Sequence, residues 1–223
     1  MNEMQIRLMR QMDLLPLEKL GEPITIIGAG AIGSWLTLAL TKMGFGNITV
    51  YDADNVDMEN MCVSLYRPVD VGQKKVHALQ NLIQQFTGMV IRGIPSHYSS
   101  GVFPGIVVSA VDSMAVRKLI WDNHVAKAIN TRRIIDPRMG AETALLYVMS
   151  PFDEKDKTTY EKLLYSDDAA VHEPCTRKAT AYCALPLAGL VAAQVKSLVT
   201  DSPYSRITQW NIPAGGFQAW QNK

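Results

Sequence analysis

Two periodicities alternate along the first two-thirds of the 223-residue chain. Short runs rich in Ile and Val, uncharged except for Arg92, at residues 24–27, 48–51, 90–94 and 106–111, have the length and β-branched content of buried strands. Between them, residues 31–43, 73–86 and 113–127 place apolar side chains three and four apart, which predicts helices. Residues 133–136 read as a fifth strand. Strands alternating with helices through connections of this length predict an α/β fold, a mostly parallel sheet flanked by helices and joined by right-handed crossovers. The first twenty residues also read as a helix, with Ile6, Leu8, Met9, Met12 and Leu15 near one face and Arg7, Arg10 and Gln11 between them.

Past residue 142 the pattern changes. Residues 143–149 read as a strand of a small antiparallel C-terminal extension. Residues 150–176 are polar, charged and irregular, as in a functional loop or lid. Residues 179–198 return to helix, rich in Ala and Leu with Pro186 early, and the tail T-Q-W-N-I-P-A-G-G-F-Q-A-W-Q reads as an edge strand or an interaction surface. The chain thus reads as one domain, 1–223: an N-terminal helix at 1–22, a core at 23–142, and a crossover loop with C-terminal extension at 143–223.

Hydrophobic residues make up 48% of the chain and charged residues 19%, with a net charge of +1. Neither nucleic acid nor a membrane is expected as a partner, because both anionic surfaces need a basic face. The N-terminus carries acids and lacks an unbroken apolar core, so it does not read as a signal peptide. The longest uncharged stretch, 23–41, holds three glycines at phosphate-loop spacing and is read as a nucleotide loop rather than a span. Cys62, Cys175 and Cys183 are odd in number and contain no C-x-x-C pair, which points to a reducing cytoplasm and excludes a four-cysteine zinc site.

The chemistry begins with Gly28-Ala29-Gly30-Ala31-Ile32-Gly33, a G-x-G-x-x-G motif set between a strand and a helix. Two glycines allow a tight turn and close approach of backbone to phosphate, and the third lets helix pack on strand. The helix start offers free N–H groups to an anion. This marks a Rossmann-like core that binds nucleotide, without saying which nucleotide. Asp52 ends the second strand, where a carboxylate can take ribose hydroxyls. Asp54 and Asn60 follow, then Lys74 and Lys75 at the head of a helix, an addition suited to a triphosphate. Each also has a plain structural reading, Asn60 as a turn former and the lysines as solvated helix residues. Asp112, at the end of the fourth strand, is placed to hold magnesium, to cap the following helix, or to do both.

These residues resemble the adenylating enzymes of the ThiF, MoeB and HesA group, relatives of ubiquitin-activating enzymes. The likeness runs through R-L-M-R-Q (7–11), G-A-G-A-I-G (28–33), Y-D-A-D-N-V (51–56), Asn60, V-G-Q-K-K (71–75), A-V-D-S-M-A-V-R (110–117) and D-P-R-M-G-A-E (136–142). It implies that ATP and Mg2+ are bound and that AMP is joined to the C-terminal carboxylate of a ubiquitin-like or sulfur-carrier protein, or of a peptide, releasing pyrophosphate. Gly28, Gly30 and Gly33 would line the phosphates with Ala29 and Ile32 between them, and Asp52 would hold the ribose. Asn60 and Lys75 would contact the triphosphate, and Asp112 the metal. A homodimer is implied, with Arg10 of one protomer reaching the other's nucleotide. The group's usual arginine three residues after the asparagine is Val63 here, for which Arg67 is the nearest substitute. Cys175, in E-P-C-T-R-K, sits where many relatives carry a thioester or persulfide cysteine, beside Arg177 and Lys178, with a spectator thiol as the other reading, and Cys62 and Cys183 read as packing residues. Two other readings stay open: a degenerate nucleotide-binding scaffold of the same fold, and an NAD-dependent oxidoreductase, for which no hydride-transfer acid is evident.

Overall fold

The computed structural model describes residues 3–127, 130–164 and 179–221. Eight strands form one sheet: β1 (Ile24–Ile27), β2 (Ile48–Tyr51), β3 (Arg92–Ile94), β4 (Gly105–Ser109), β5 (Thr131–Gly140), β6 (Thr143–Met149), β7 (Ser205–Asn211) and β8 (Gly216–Gln221). Their order is β3-β2-β1-β4-β5-β6-β7-β8. The strands from β3 to β5 are parallel, and β6, β7 and β8 are added antiparallel at one edge. The expected α/β fold, with its Rossmann-like parallel sheet and antiparallel extension, is what the chain adopts.

Residue parity along the strands decides which helices cover which face. Ile24, Ile26, Ile48, Val50, Ile106, Val108, Ile135, Leu146 and Val148 join one apolar core. It is closed by α2 (Ala31–Lys42), α3 (Lys75–Thr87) and α6 (Ala181–Val199). The alternate residues Ile27, Val107, Ile134, Tyr147 and Met149 face the other side, under α4 (Met114–Lys127) and α5 (Glu154–Glu161). Strands buried on both faces read as continuous apolar runs, which is why 24–27 and 106–109 show no polar alternation. Helix α6 is long and apolar enough to cross a membrane, but its Leu187, Val191, Val195 and Leu198 are buried in this core.

Three local expectations are corrected. The N-terminal helix, α1, spans only Glu3–Leu8, followed by turns and a single 3-10 turn at Leu17–Lys19. Leu8, Leu15 and Leu20 are all buried, and Pro16 cannot continue a helix without clashing with the preceding turn. Within the stretch read as irregular, residues 154–161 form α5. Its only fully buried large side chain is Tyr160, so the apolar period was too sparse to announce it, and the helix is set instead by Asp153, which accepts from the Asp156 N–H at 2.9 Å. Cys62, expected to pack, is exposed, whereas Cys183 is buried and its thiol is pushed up to about 11 by desolvation.

His124 is completely buried in α4. Its Nε2 accepts from the Phe103 N–H at 3.3 Å, so Nδ1 carries the proton and donates to the Ile120 carbonyl at 2.7 Å. Desolvation holds its pKa below the ordinary histidine value. Below about pH 6.5 the unfolded chain therefore binds a proton that the native state refuses, and stability falls as the pH is lowered, by at most about 1.4 kcal/mol per unit from this group. Denaturant melts of wild type and His124→Gln between pH 7.5 and 5.5 should show a shallower decline in the variant.

Candidate nucleotide site

The glycine loop stands between the ends of β1 and β4. Gly28 adopts φ +103°, and a Cβ there would lie 2.3 Å from the Ala110 carbonyl oxygen. A Cβ on Gly33 would lie 1.9 Å from the Gly28 carbonyl oxygen, so α2 starts directly against the loop. Gly30, by contrast, has nothing within 4 Å of its missing Cβ and leaves open space above the helix start. Two glycines thus serve the backbone's own packing, and the middle one keeps room for a ligand.

Asp52 closes the neighbouring strand end. Its Oδ2 accepts from the Ala29 N–H at 2.7 Å and its Oδ1 from the Asp54 N–H at 2.9 Å, so the carboxylate ties the glycine loop to β2. Buried Tyr66 adds a second tie, donating to the Ala29 carbonyl at 2.7 Å, with the Lys75 carbonyl 3.3 Å away. Burial, then the charges of Asp52 and Asp70, raise its phenol well above the ordinary range.

A surface cleft of about 460 Å³ opens beside these ties, lined by Ala53, Asp54, Asn55, Asp57, Glu59, Asn60, Lys74 and Lys75. Lys75 is buried, and its Nζ meets Asp54 Oδ2 at 2.9 Å. The hydrogen bond from Lys75 holds the Asp54 carboxyl below its usual value, with the charges of Lys75, His97 and Lys74 helping against desolvation. Asp54 is itself largely exposed, so this pair is a cation held ready with a displaceable counterion. Lys74 Nζ bonds the Ala53 carbonyl at 2.6 Å. Asn60 Oδ1 accepts from the Asp57 N–H at 3.0 Å in a capping box, which leaves its amide hydrogens for another acceptor.

Asp112 is exposed just past β4 on the same edge of the sheet, and the cap of α4 is Ser113, whose Oγ accepts from the Val116 N–H at 3.3 Å. The capping alternative for Asp112 therefore falls away. No group of three or more potential metal ligands occurs among the described residues. A single exposed carboxylate suits magnesium that takes its other oxygens from phosphate and water.

Of the predicted residues Asp54, Asn60 and Lys75 line the cleft, the glycine loop, Asp52 and Asp112 stand at the strand ends outside its lining, and two arginines are held elsewhere. Arg10 is exposed in the turns after α1. That segment is pinned by Arg7 to the Thr87 carbonyl and by Gln11 to the Met43 carbonyl, at the far ends of α3 and α2. The 12-residue α2 puts about 18 Å between that end and the glycine loop. Arg67 is clamped by Asp70 at 2.9 and 3.1 Å and by Gln85 at 2.9 Å, so it does not stand in for the arginine replaced by Val63, whose carbonyl bonds the Trp35 indole. Cys175 lies outside the described residues.

The ThiF family model matches residues 3–222. The chain belongs to the ThiF family. Among curated relatives, the mouse (Mus musculus) ubiquitin-like modifier-activating enzyme 5 is 31% identical over 68 residues, 30% of this chain and 17% of the relative. The adenylyltransferase and sulfurtransferase UBA4 of Yarrowia lipolytica is 32% identical over 114 residues, 48% of this chain and 28% of the relative. The chain thus spans under a third of the length of the curated relatives it matches. Among solved structures, E. coli MccB with ATP aligns at TM-score 0.73 and 16% identity, over 92% of this chain and 65% of that one. PaaA aligns at TM-score 0.78 and 17% identity, over 99% and 74%. At such identity the structural likeness establishes the family's fold.

Sequence reasoning missed Tyr66 and a buried group around Asp136. Asp136 is wholly buried in β5, held by Arg117, Arg138 and Tyr160. A charged residue in a strand between apolar Ile135 and Pro137 was the available signal, since such a charge is buried only when paired.

The glycines separate by substitution. Gly33→Ala should cost about 3 kcal/mol or more, because the methyl meets a carbonyl that cannot move away. Gly30→Ala should melt close to wild type yet bind ATP several-fold more weakly, measured by thermal denaturation and calorimetric titration.

Proposed function

We propose that the chain is an ATP-dependent adenylyltransferase that activates the C-terminal carboxylate of a ubiquitin-like or sulfur-carrier protein, or of a peptide, as an acyl-adenylate. The observation that carries this reading is the buried Lys75 with its displaceable Asp54 counterion, beside the glycine loop and Asp52. Relatives named as modifier-activating enzymes and as an adenylyltransferase support it.

In the proposed reaction a carboxylate oxygen attacks the α-phosphorus of ATP. The bond from that phosphorus to the bridging oxygen breaks, and pyrophosphate leaves with the electron pair. The nucleophile is already ionised at neutral pH, so no general base is required. The barrier lies in bringing anions together, and catalysis is alignment and charge neutralisation. The loop N–H groups and the α2 N-terminus would face the phosphates. Asp52 would exchange part of its backbone bonding for ribose hydroxyls. Lys75 would leave Asp54 for the triphosphate, and Asn60 would donate through its amide hydrogens. Asp112 would hold magnesium, which when bound supplies positive charge to the phosphate oxygens. Since Arg10 lies at the other end of α2, its contribution would be to a partner protomer's nucleotide in a homodimer.

A second reading, a nucleotide-binding scaffold without turnover, is favoured by Val63 and by the engagement of Arg67 with Asp70 and Gln85. ATP–pyrophosphate exchange with candidate carboxylate proteins and peptides separates the two. Wild type should exchange label in the presence of its acceptor, and Lys75→Ala and Asp112→Ala should each lose at least about 100-fold. ATP binding without exchange by any acceptor would favour the scaffold, and unchanged ATP binding in both variants would overturn the site assignment.

A further inference from the structure

A buried polar chain leads from α5 through the middle of the sheet to the end of β4. Tyr160 donates to Asp136 Oδ2 at 2.7 Å, and Arg138 Nε donates to the same oxygen at 2.8 Å. The other oxygen, Oδ1, accepts from Arg117 Nε at 2.8 Å. Arg117, buried in α4, then extends Nη1 to the backbone carbonyl of Asp112 at 3.1 Å. Arg138 in turn donates Nη1 to the Leu163 carbonyl at 3.0 Å and lies over the Tyr147 ring.

We propose that Arg117 is a positioning residue that fixes the backbone of Asp112 at the end of β4, on the sheet edge that carries the glycine loop, with Asp136 fixing Arg117. For its consequence in catalysis this rests on the adenylation reading. Stability alone does not account for the arrangement, because a carboxylate and two guanidiniums taken out of water gain little over well-packed apolar residues of the same volume. What a guanidinium adds is geometry. Its donors lie in one rigid plane, so a bond to Asp136 and a bond to the Asp112 carbonyl together set the spacing of β5 and the segment after β4. Asp136 cannot swing, since its second oxygen is occupied by Arg138 and Tyr160. The segment so held carries the exposed Asp112 two residues past Ala110, whose carbonyl walls the glycine loop. A ligand to a phosphate-bound cation works only if held near its final position before the cation arrives.

The test uses Arg117→Lys, which keeps a cation beside Asp136 but lacks the fork, and Asp136→Asn. Asp156→Asn serves as a destabilising control: Asp156 is buried, pairs with Arg206 and caps Ser150, away from β4. Amide exchange of the ligand-free protein at residues 111–114 should quicken at least tenfold in the first two variants and stay unchanged in the control. Affinity for Mn2+–ATP, followed by the manganese resonance, should weaken at least fivefold in the first two, while affinity for metal-free ATP is retained. Exchange and manganese affinity equal to wild type in Arg117→Lys would overturn the proposal, as would equal changes in the control. Should Asp136→Asn fail to fold, Arg117→Lys decides alone. If wild type binds no ATP in any form, the adenylation reading falls, and exchange at 111–114 still decides whether Arg117 holds that segment.

Discussion

The close approach of α2 to the end of β1 is the constraint from which the rest of the site follows. Because Gly33 has no side chain, the first turn of α2 rests on the Gly28 carbonyl, and because Gly28 has none, the loop rests on Ala110 just past β4. With those contacts made, the end of β1 is level with the ends of β2 and β4: Ile27 is in register with Tyr51 on one side and Ser109 on the other. Asp52 and Asp112 therefore leave the sheet on the same edge as the helix start. A methyl group at either glycine would separate these elements and the charges they carry.

The second feature is that the charges at this edge are already partnered. Asp52 holds the Ala29 and Asp54 N–H groups, Lys75 holds Asp54, and Arg67 holds Asp70. These pairings differ in how readily they yield. Asp54 is exposed and can be replaced by a more highly charged anion, whereas Asp70 is buried beneath Arg67 and is bound to its backbone N–H as well. The cleft can thus accept phosphate at Lys75, while the guanidinium nearest to the Val63 position stays committed to the wall of the fold.

Much of this was legible in the residue order. The apolar runs named the parallel strands, the glycine spacing named the loop, and Asp52, Asp54, Asn60 and Lys75 stood at intervals that placed them at strand and helix ends. Less legible were elements whose stability comes from few residues. Helix α5 rests on one cap and on Tyr160 and Asp156 rather than on an apolar stripe, and α1 stops at Leu8, after which turns carry Leu15 and Leu20 into the core on either side of Pro16. The fate of Arg67 was also hidden, since Asp70 and Gln85 compete for it from three and eighteen residues away.

The division follows from the range of the forces. Local sequence by itself determined the alternation of strand and helix, the glycine turn and the candidate charges, because periodicity, backbone freedom and strand-end position act within a few residues. Only the tertiary structure decided which charges meet. Lys75 reaches Asp54 across twenty-one residues, Arg117 reaches Asp136 across nineteen, and Tyr66 reaches Ala29 across thirty-seven. Such pairings depend on distance in space and on exclusion of water, and neither exists until the sheet and its helices have closed around them.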